Sequence, residues 1–185
     1  SLRANAVRRL TPDAVERLLP DANLALAVQS TLFAMRGQEA AIDLLDRQAL
    51  AQVRLRPAYR HLLTVSGIGQ VLGLTIVLET GPVERFAEVG RYASYCRCVG
   101  SERLSNGKRK GRGNAKNGNK YLAWAFIEAA NFAVRWNPTI KRYYQRKRAK
   151  TNGIVAIKTV AHKLARACYY ILRDGTDFAV ARAFA

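Results

Sequence analysis

Apolar residues recur at steps of three and four along most of this chain, with no sustained two-residue alternation, so the pattern predicts an all-α fold. Thr11-Pro12-Asp13 supplies a cap, a proline at the first helical position and an acid for the helix dipole, and that helix ends at Pro20. A longer helix opens at Asp21 and runs to about Arg56, where Pro57 stops it. Along it, positions 24, 28, 31, 35, 38, 42, 45 and 49 read Leu, Val, Thr, Met, Gln, Ile, Leu and Ala. This is a near-heptad seam with polar breaks at Thr31 and Gln38, and it predicts a helical arm over residues 1–57 that joins copies of the chain as a coiled coil, dimeric or tetrameric. Folding back onto the first helix is the alternative.

Residues 58–185 read as a compact helical domain. A short helix ending at Leu62-Leu63 meets Val65-Ser66-Gly67-Ile68-Gly69 and then an apolar helix from Gln70 to Glu79, the arrangement of a helix-hairpin-helix. Gly67 and Gly69 permit a tight turn whose amides can face a phosphate without reading sequence; joining two packed helices around Ile68 is the plainer role. Gly81-Pro82 breaks the chain, and 86–96 reads as a short helix packing Phe86, Val89, Tyr92 and Ala93. Asn119 can cap a helix over about Lys120 to Trp136, Asn137-Pro138 starts another through Lys150, and Thr151-Asn152-Gly153 turns into a last long helix to about Arg173. In these helices Trp124, Phe132 and Trp136 read as core or interface sooner than as base-stacking platforms, while Tyr143 or Tyr144 can stack on an exposed base.

Residues 97–120 fit none of these periods and read as a long basic Gly/Asn loop, with eight Lys or Arg against one acid, Glu102. Charge changes the picture most here. The formal net charge is +18, and its distribution is uneven: residues 103–173 hold eighteen Lys or Arg and a single acid, Glu128. A polyanion is the partner this predicts, DNA or structured RNA. The candidate contacts are Arg103, Lys108, Arg109, Lys110, Arg112, Lys116 and Lys120 in and after the loop, Gly67 and Gly69 at the hairpin, and Lys141, Arg142, Arg146, Lys147 and Arg148 on the following helix. A membrane partner is not expected, since no run of eighteen apolar residues occurs, and residues 1–10 lack the apolar stretch of a signal peptide.

Catalytic side chains are sparse. Three cysteines, Cys96, Cys98 and Cys168, form no even framework or C-x-x-C pair, and the only histidines are His61 and His162, so free thiols and no metal site are expected. His162 lies among Lys163 and Arg166 with no nearby acid, a position for packing or phosphate contact sooner than for a base. One small nucleophile sits on a turn in the loop, Ser105 of Ser105-Asn106-Gly107.

The order of Leu62-Leu63-Thr-Val-Ser-Gly-Ile-Gly, Gly81-Pro82, Phe86, Tyr92-Ala93, Ser101-Glu102, Ser105-Asn-Gly-Lys108, Lys116-Asn-Gly-Asn119-Lys-Tyr-Leu122 and Ala161-His-Lys-Leu164 to Arg173-Asp-Gly resembles the carboxy-terminal domain of insertion-sequence transposases of the one-hundred-and-ten class. The resemblance covers about residues 58–178, and the arm looks like the coiled coil that precedes this domain in the family. It implies a recombinase whose serine links covalently to DNA, working with an acidic, Mg²⁺-holding RuvC-like domain outside these residues and with a structured guide RNA. The family serine corresponds to Ser105, with Ser101 as the fallback, and Asn106 departs from the usual glycine. Ten of the thirteen acids lie in residues 1–102, so a piece without a metal cluster, inactive in isolation, is expected, and the resemblance implies a bacterial cytoplasm, at the nucleoid. A helical DNA- or RNA-binding module with no catalytic residue is the competing class.

Overall fold

The computed structural model describes residues 4–99, 102–106, 108–112 and 117–184, with side chains at all of these except 4–5, 102–105 and 109–112. The chain divides into two compact units, Ser1–Ala51 and Gln52–Ala185. The architecture is all-α with one small exception in the basic stretch.

In the first unit, α1 (Ala4–Val7) and α2 (Pro12–Leu18) precede α3 (Ala22–Val53), whose last residues pass into the second unit. Thr11 Oγ1 accepts from the Ala14 amide, and Asp21 Oδ1 accepts from the amides of Asn23 and Leu24, so both helices start at the caps the sequence supplies. Val15, Ala25 and Leu32 are buried, with Val7, Leu10, Leu19, Val28 and Met35 packed around them. The first half of α3 therefore folds back on α2, and two of the seam positions, Val28 and Met35, serve that hairpin. Past Met35 the seam is uncovered: Ile42 and Leu45 are exposed, as are Phe33 and Leu44 on other faces.

The second unit continues with α4 (Pro57–Leu62), α5 (Gln70–Thr80), a 3-10 turn at Val83–Arg85, α6 (Val89–Tyr95), a ribbon of β1 (Glu102–Ser105) and β2 (Lys108–Arg112), then α7 (Lys120–Trp136), α8 (Pro138–Lys150), α9 (Gly153–Asp174) and α10 (Val180–Phe184). The long helix α9 is the centre, packed by α4, α6, α7, α8, α10 and the 3-10 turn. Small residues let the helices approach: Ala125, Ala129, Ala130 and Ala133 of α7 and Ala156, Ala161 and Ala165 of α9 are all fully buried. Larger side chains fill the rest. Tyr92 meets the Phe126 ring edge-on at 6.3 Å, and its hydroxyl pairs with buried Thr80 at 3.0 Å. Burial pushes the Tyr92 phenol well above its ordinary pKa.

Three asparagines begin the three long helices of this unit. Oδ1 of Asn119, Asn137 and Asn152 accepts first-turn amides of α7, α8 and α9 respectively. After α9, Gly175 takes a left-handed φ of 64°, and the chain returns to α4. There the Phe178 amide donates to Thr64 Oγ1 at 2.9 Å, and Asp177 pairs with His61 at 2.7 Å. Helix α10, beyond the last helix that the sequence predicts, seats Phe184 on Tyr143, ring centroids 5.3 Å apart.

The two hairpin glycines have different jobs. Gly67 has φ +90°, and a Cβ there would stand 2.2 Å from the Ala129 carbonyl oxygen and 2.7 Å from the Ala133 amide nitrogen, so it is glycine because the turn lies against the α7 backbone. Gly69 has φ −95° and open space where a Cβ would be. Gly67→Ala should therefore destabilise the second unit by about 3 kcal/mol or more. Gly69→Ala should cost less than about 1 kcal/mol. Urea unfolding followed by tryptophan emission reads this unit alone, since Trp124 and Trp136 are the two tryptophans.

Candidate nucleic-acid interface

The basic stretch is not wholly loop. β1 and β2 pair antiparallel with Glu102 opposite Arg112, Arg103 opposite Gly111, Leu104 opposite Arg109 and Ser105 opposite Lys108. A register shift between Arg103 and Leu104 marks a bulge, which bends and twists a ribbon locally. Ser105 closes β1 beside a two-residue turn, where Asn106 takes φ +50°. That backbone is one asparagine tolerates, so the departure from glycine at position 106 still makes the turn. Two adjacent residues, Asn106-Gly107, carried the missed signal: this pair is the usual two-residue hairpin turn, and charged flanks without apolar alternation hid it.

A clamp closes the base of this excursion. The Asn119 amide donates to the Tyr95 carbonyl at 2.7 Å, and Arg97 Nε and Nη2 donate to the Gly118 carbonyl at 3.2 and 2.9 Å. Gly118 has φ +90°, and a Cβ there would lie 2.4 Å from the Tyr95 carbonyl oxygen, so only glycine allows the strands of the stem to touch. Asn119 then works twice. Its Oδ1 caps α7 by accepting from Tyr121 and Leu122, while its Nδ2 donates to Glu79 at the end of α5 and to the Tyr95 hydroxyl. Hydrogen bonds from Asn119 and then Arg85 hold the Tyr95 phenol below its ordinary pKa, against the effect of its burial. Arg85 stacks over the rings of Phe86 and Tyr95 at 4.5 and 4.7 Å.

The predicted contact residues fall in three places. Arg103, Ser105, Lys108, Arg109, Lys110 and Arg112 lie on the ribbon, and the Lys108 side chain is exposed. Lys120 is exposed at the start of α7, its Nζ 4.9 Å from the Tyr121 ring. Lys141, Arg142, Arg146, Lys147 and Arg148 are all exposed on α8, spread around the helix. Ser101 and Lys116 lie outside the described residues. Tyr143 is buried under Phe184, so it is no stacking platform. Trp124, Phe132 and Trp136 are correspondingly not core: they are 49%, 46% and 72% exposed.

The remaining candidates are quiet. His162 is half-buried, and burial, then the charges of Arg166 and Lys163, lower its pKa, which keeps the ring neutral. Cys96 and Cys168 are buried and Cys98 is half-buried; burial raises all three thiols, that of Cys98 to about 12. They stay protonated at neutral pH. Among the described residues no group of three His, Cys, Asp or Glu gathers to hold a metal ion, and no helix is long and apolar enough to cross a membrane.

The clamp can be tested by one atom. Asn119→Asp keeps the cap acceptor, removes the Nδ2 donor and sets a second carboxylate against Glu79. Stability near neutral pH should fall by about 1–3 kcal/mol. Part should return as pH drops to about 4, because a carboxyl whose folded pKa is raised loses its penalty below that pKa. Thermal melts at the two pH values measure this; an equal loss at both would place the effect elsewhere.

No curated protein matches the chain. Residues 59–145, from α4 to the middle of α8, match the model of the Transposase IS116/IS110/IS902 family, with the clamp and the ribbon inside the match. This stretch of the chain is therefore similar to a region of the transposases of that family.

Proposed function

We propose that the second unit is the DNA-binding and serine-bearing part of an insertion-sequence transposase, and that Ser105 is its nucleophile. The observation that carries this reading is the basic ribbon itself. It sits within the family match, its base is fixed to α7, and its turn is flanked by Ser105 and Lys108. A serine on such a turn meets a phosphodiester drawn in by Lys108, Arg109, Lys110 and Arg112, whose charges also stabilise the pentavalent phosphorane. In the step, the Ser105 Oγ–P bond forms as the bond from phosphorus to one deoxyribose oxygen breaks. The serine proton leaves and the departing oxygen takes one up.

The α8 cations and the α5 end of the hairpin supply further phosphate contacts in this reading, with the Gly69 end of α5 free of any side-chain cap. The described residues do not fit a Mg²⁺ site, so no step here runs through one; the family's acidic RuvC-like domain is its proposed holder. A structured guide RNA competes for the same cationic faces as DNA. In the arm, a second copy of the chain covers Leu24, Ile42 and Leu45, which α2 leaves exposed. The reading without chemistry, a pure binding module, shares all of this except the role of Ser105.

Two measurements test the proposal: the first checks the binding that both readings share, and the second separates them. Duplex DNA binding by this chain should weaken by about a thousandfold between ~50 and ~200 mM salt, as counterion release from many phosphates requires. In the full-length protein, Ser105→Ala should abolish covalent protein–DNA adducts while leaving binding within about twofold. Adducts that persist would leave only the binding module.

A further inference from the structure

The faces of α7 are unequal in a way its helical period does not explain. Leu122, Ala125, Phe126, Ala129, Ala130 and Ala133 are fully buried, yet Phe132 and Trp136 stand open at the carboxy-terminal end. These two rings form one wall of a groove of about 580 Å³, whose other wall is the α4–α5 turn and the first turn of α5, from Gly67 to Leu72. That volume is within the range of pockets that hold small organic groups, about 300–1,000 Å³. The lining is apolar apart from the Gln70 side chain, which is exposed, and Val71 adds a further open apolar surface, 60% exposed. The Arg135 guanidinium lies over the Trp136 ring at 5.2 Å from its centroid.

We infer that this groove seats one unpaired nucleobase of a single strand, stacked on Trp136 with its neighbouring phosphate on Arg135. The inference rests on the nucleic-acid reading given above and names a substrate form for it: unpaired nucleotides in addition to duplex. Charge decides the occupant. The wall made by Phe132 and Trp136 belongs to residues 103–173, which hold eighteen cations and one acid, and α8, with Lys141 and Arg142 exposed, begins two residues after Trp136. That one acid, Glu128, is half-buried a turn before Phe132 and two turns before Trp136, so the Trp136 end is the one open to an anion. An apolar protein segment finds two rings and Val71 here, with cations beside them. A nucleotide matches both parts: a flat π-face for the ring, polar edges for Gln70 and a phosphate for Arg135. A base inside a duplex has no free face to offer, so the groove discriminates by strand state and not by sequence.

The two tryptophans allow a direct readout. In a Trp124→Phe background of the whole chain, Trp136 is the sole tryptophan, and its emission can be titrated with oligothymidylate, with oligouridylate, each of about fifteen nucleotides, and with a duplex of similar length. Both single strands should quench Trp136 and the duplex should not; the stronger quencher tells whether DNA or RNA is preferred. Trp136→Leu, checked for folding by circular dichroism, should weaken single-strand binding about tenfold and duplex binding less than about twofold, measured by anisotropy of labelled strands. Phe132→Ala should act in the same direction. If the duplex binds while Trp136 emission and the variants' single-strand affinities stay unchanged, the groove is not a base site and belongs to a protein partner or to none. If neither single strands nor duplex bind, the nucleic-acid reading fails together with this one.

Discussion

Two asparagine side chains hold the second unit in order, because each uses both ends of its amide. Asn119 caps α7 with its oxygen and reaches Glu79 and Tyr95 with its nitrogen. Asn137 caps α8 with its oxygen, and its nitrogen donates to Ser66 Oγ in the α4–α5 turn at 2.9 Å. Each helix start is thereby fixed to an element earlier in the chain, α7 to the end of α5 and α8 to the turn before α5. An aspartate would cap as well, but its carboxylate has no donor for the second bond. Between these two points the close fit of Gly67 on α7 leaves α5 little freedom to shift. The ribbon, the cationic α8 and the aromatic end of α7 all take their positions from this arrangement.

Much of that arrangement was legible in the sequence because caps and breakers are local. The asparagines at 119, 137 and 152 and the prolines at 12, 57 and 138 sit where helices begin, and the observed bounds follow them closely. The ribbon was less legible for a physical reason. Its strands pair through backbone hydrogen bonds and a turn, with no apolar face to write a period into the sequence. Burial was legible only in part. The apolar spacing of α7 gives its buried stripe, but it does not say that Phe132 and Trp136 stay exposed at its end, since that depends on the packing of the other helices around α7. Tyr143 failed in the opposite sense: the residue that covers it, Phe184, lies in a tail with no periodicity to announce it.

The arm shows a similar limit. Its seam of apolar residues is real, but one stretch of it meets α2 and another is exposed, and a heptad pattern reads the same for an internal neighbour as for a second chain. Candidate chemistry is harder still. Ser105 is singled out by the family pattern and by its turn, and the surrounding composition alone gives only a polyanion-binding surface. What the fold adds is a fixed point of attachment for that turn.

That attachment has a consequence for how the molecule can vary. The chain leaves the helical body at Cys98 and returns at Asn117, and the crossing of Arg97 over Gly118 joins the two ends independently of what lies between them. In polymer terms the core closes the loop, so the entropic penalty for extending the intervening segment grows only logarithmically, by about 0.6 kcal/mol for each doubling of its length. Residues can be inserted, deleted or exchanged within the excursion with little effect on folding. The excursion proposed to meet a nucleic acid is in this sense a cassette, free to diversify while the scaffold that carries it stays constant.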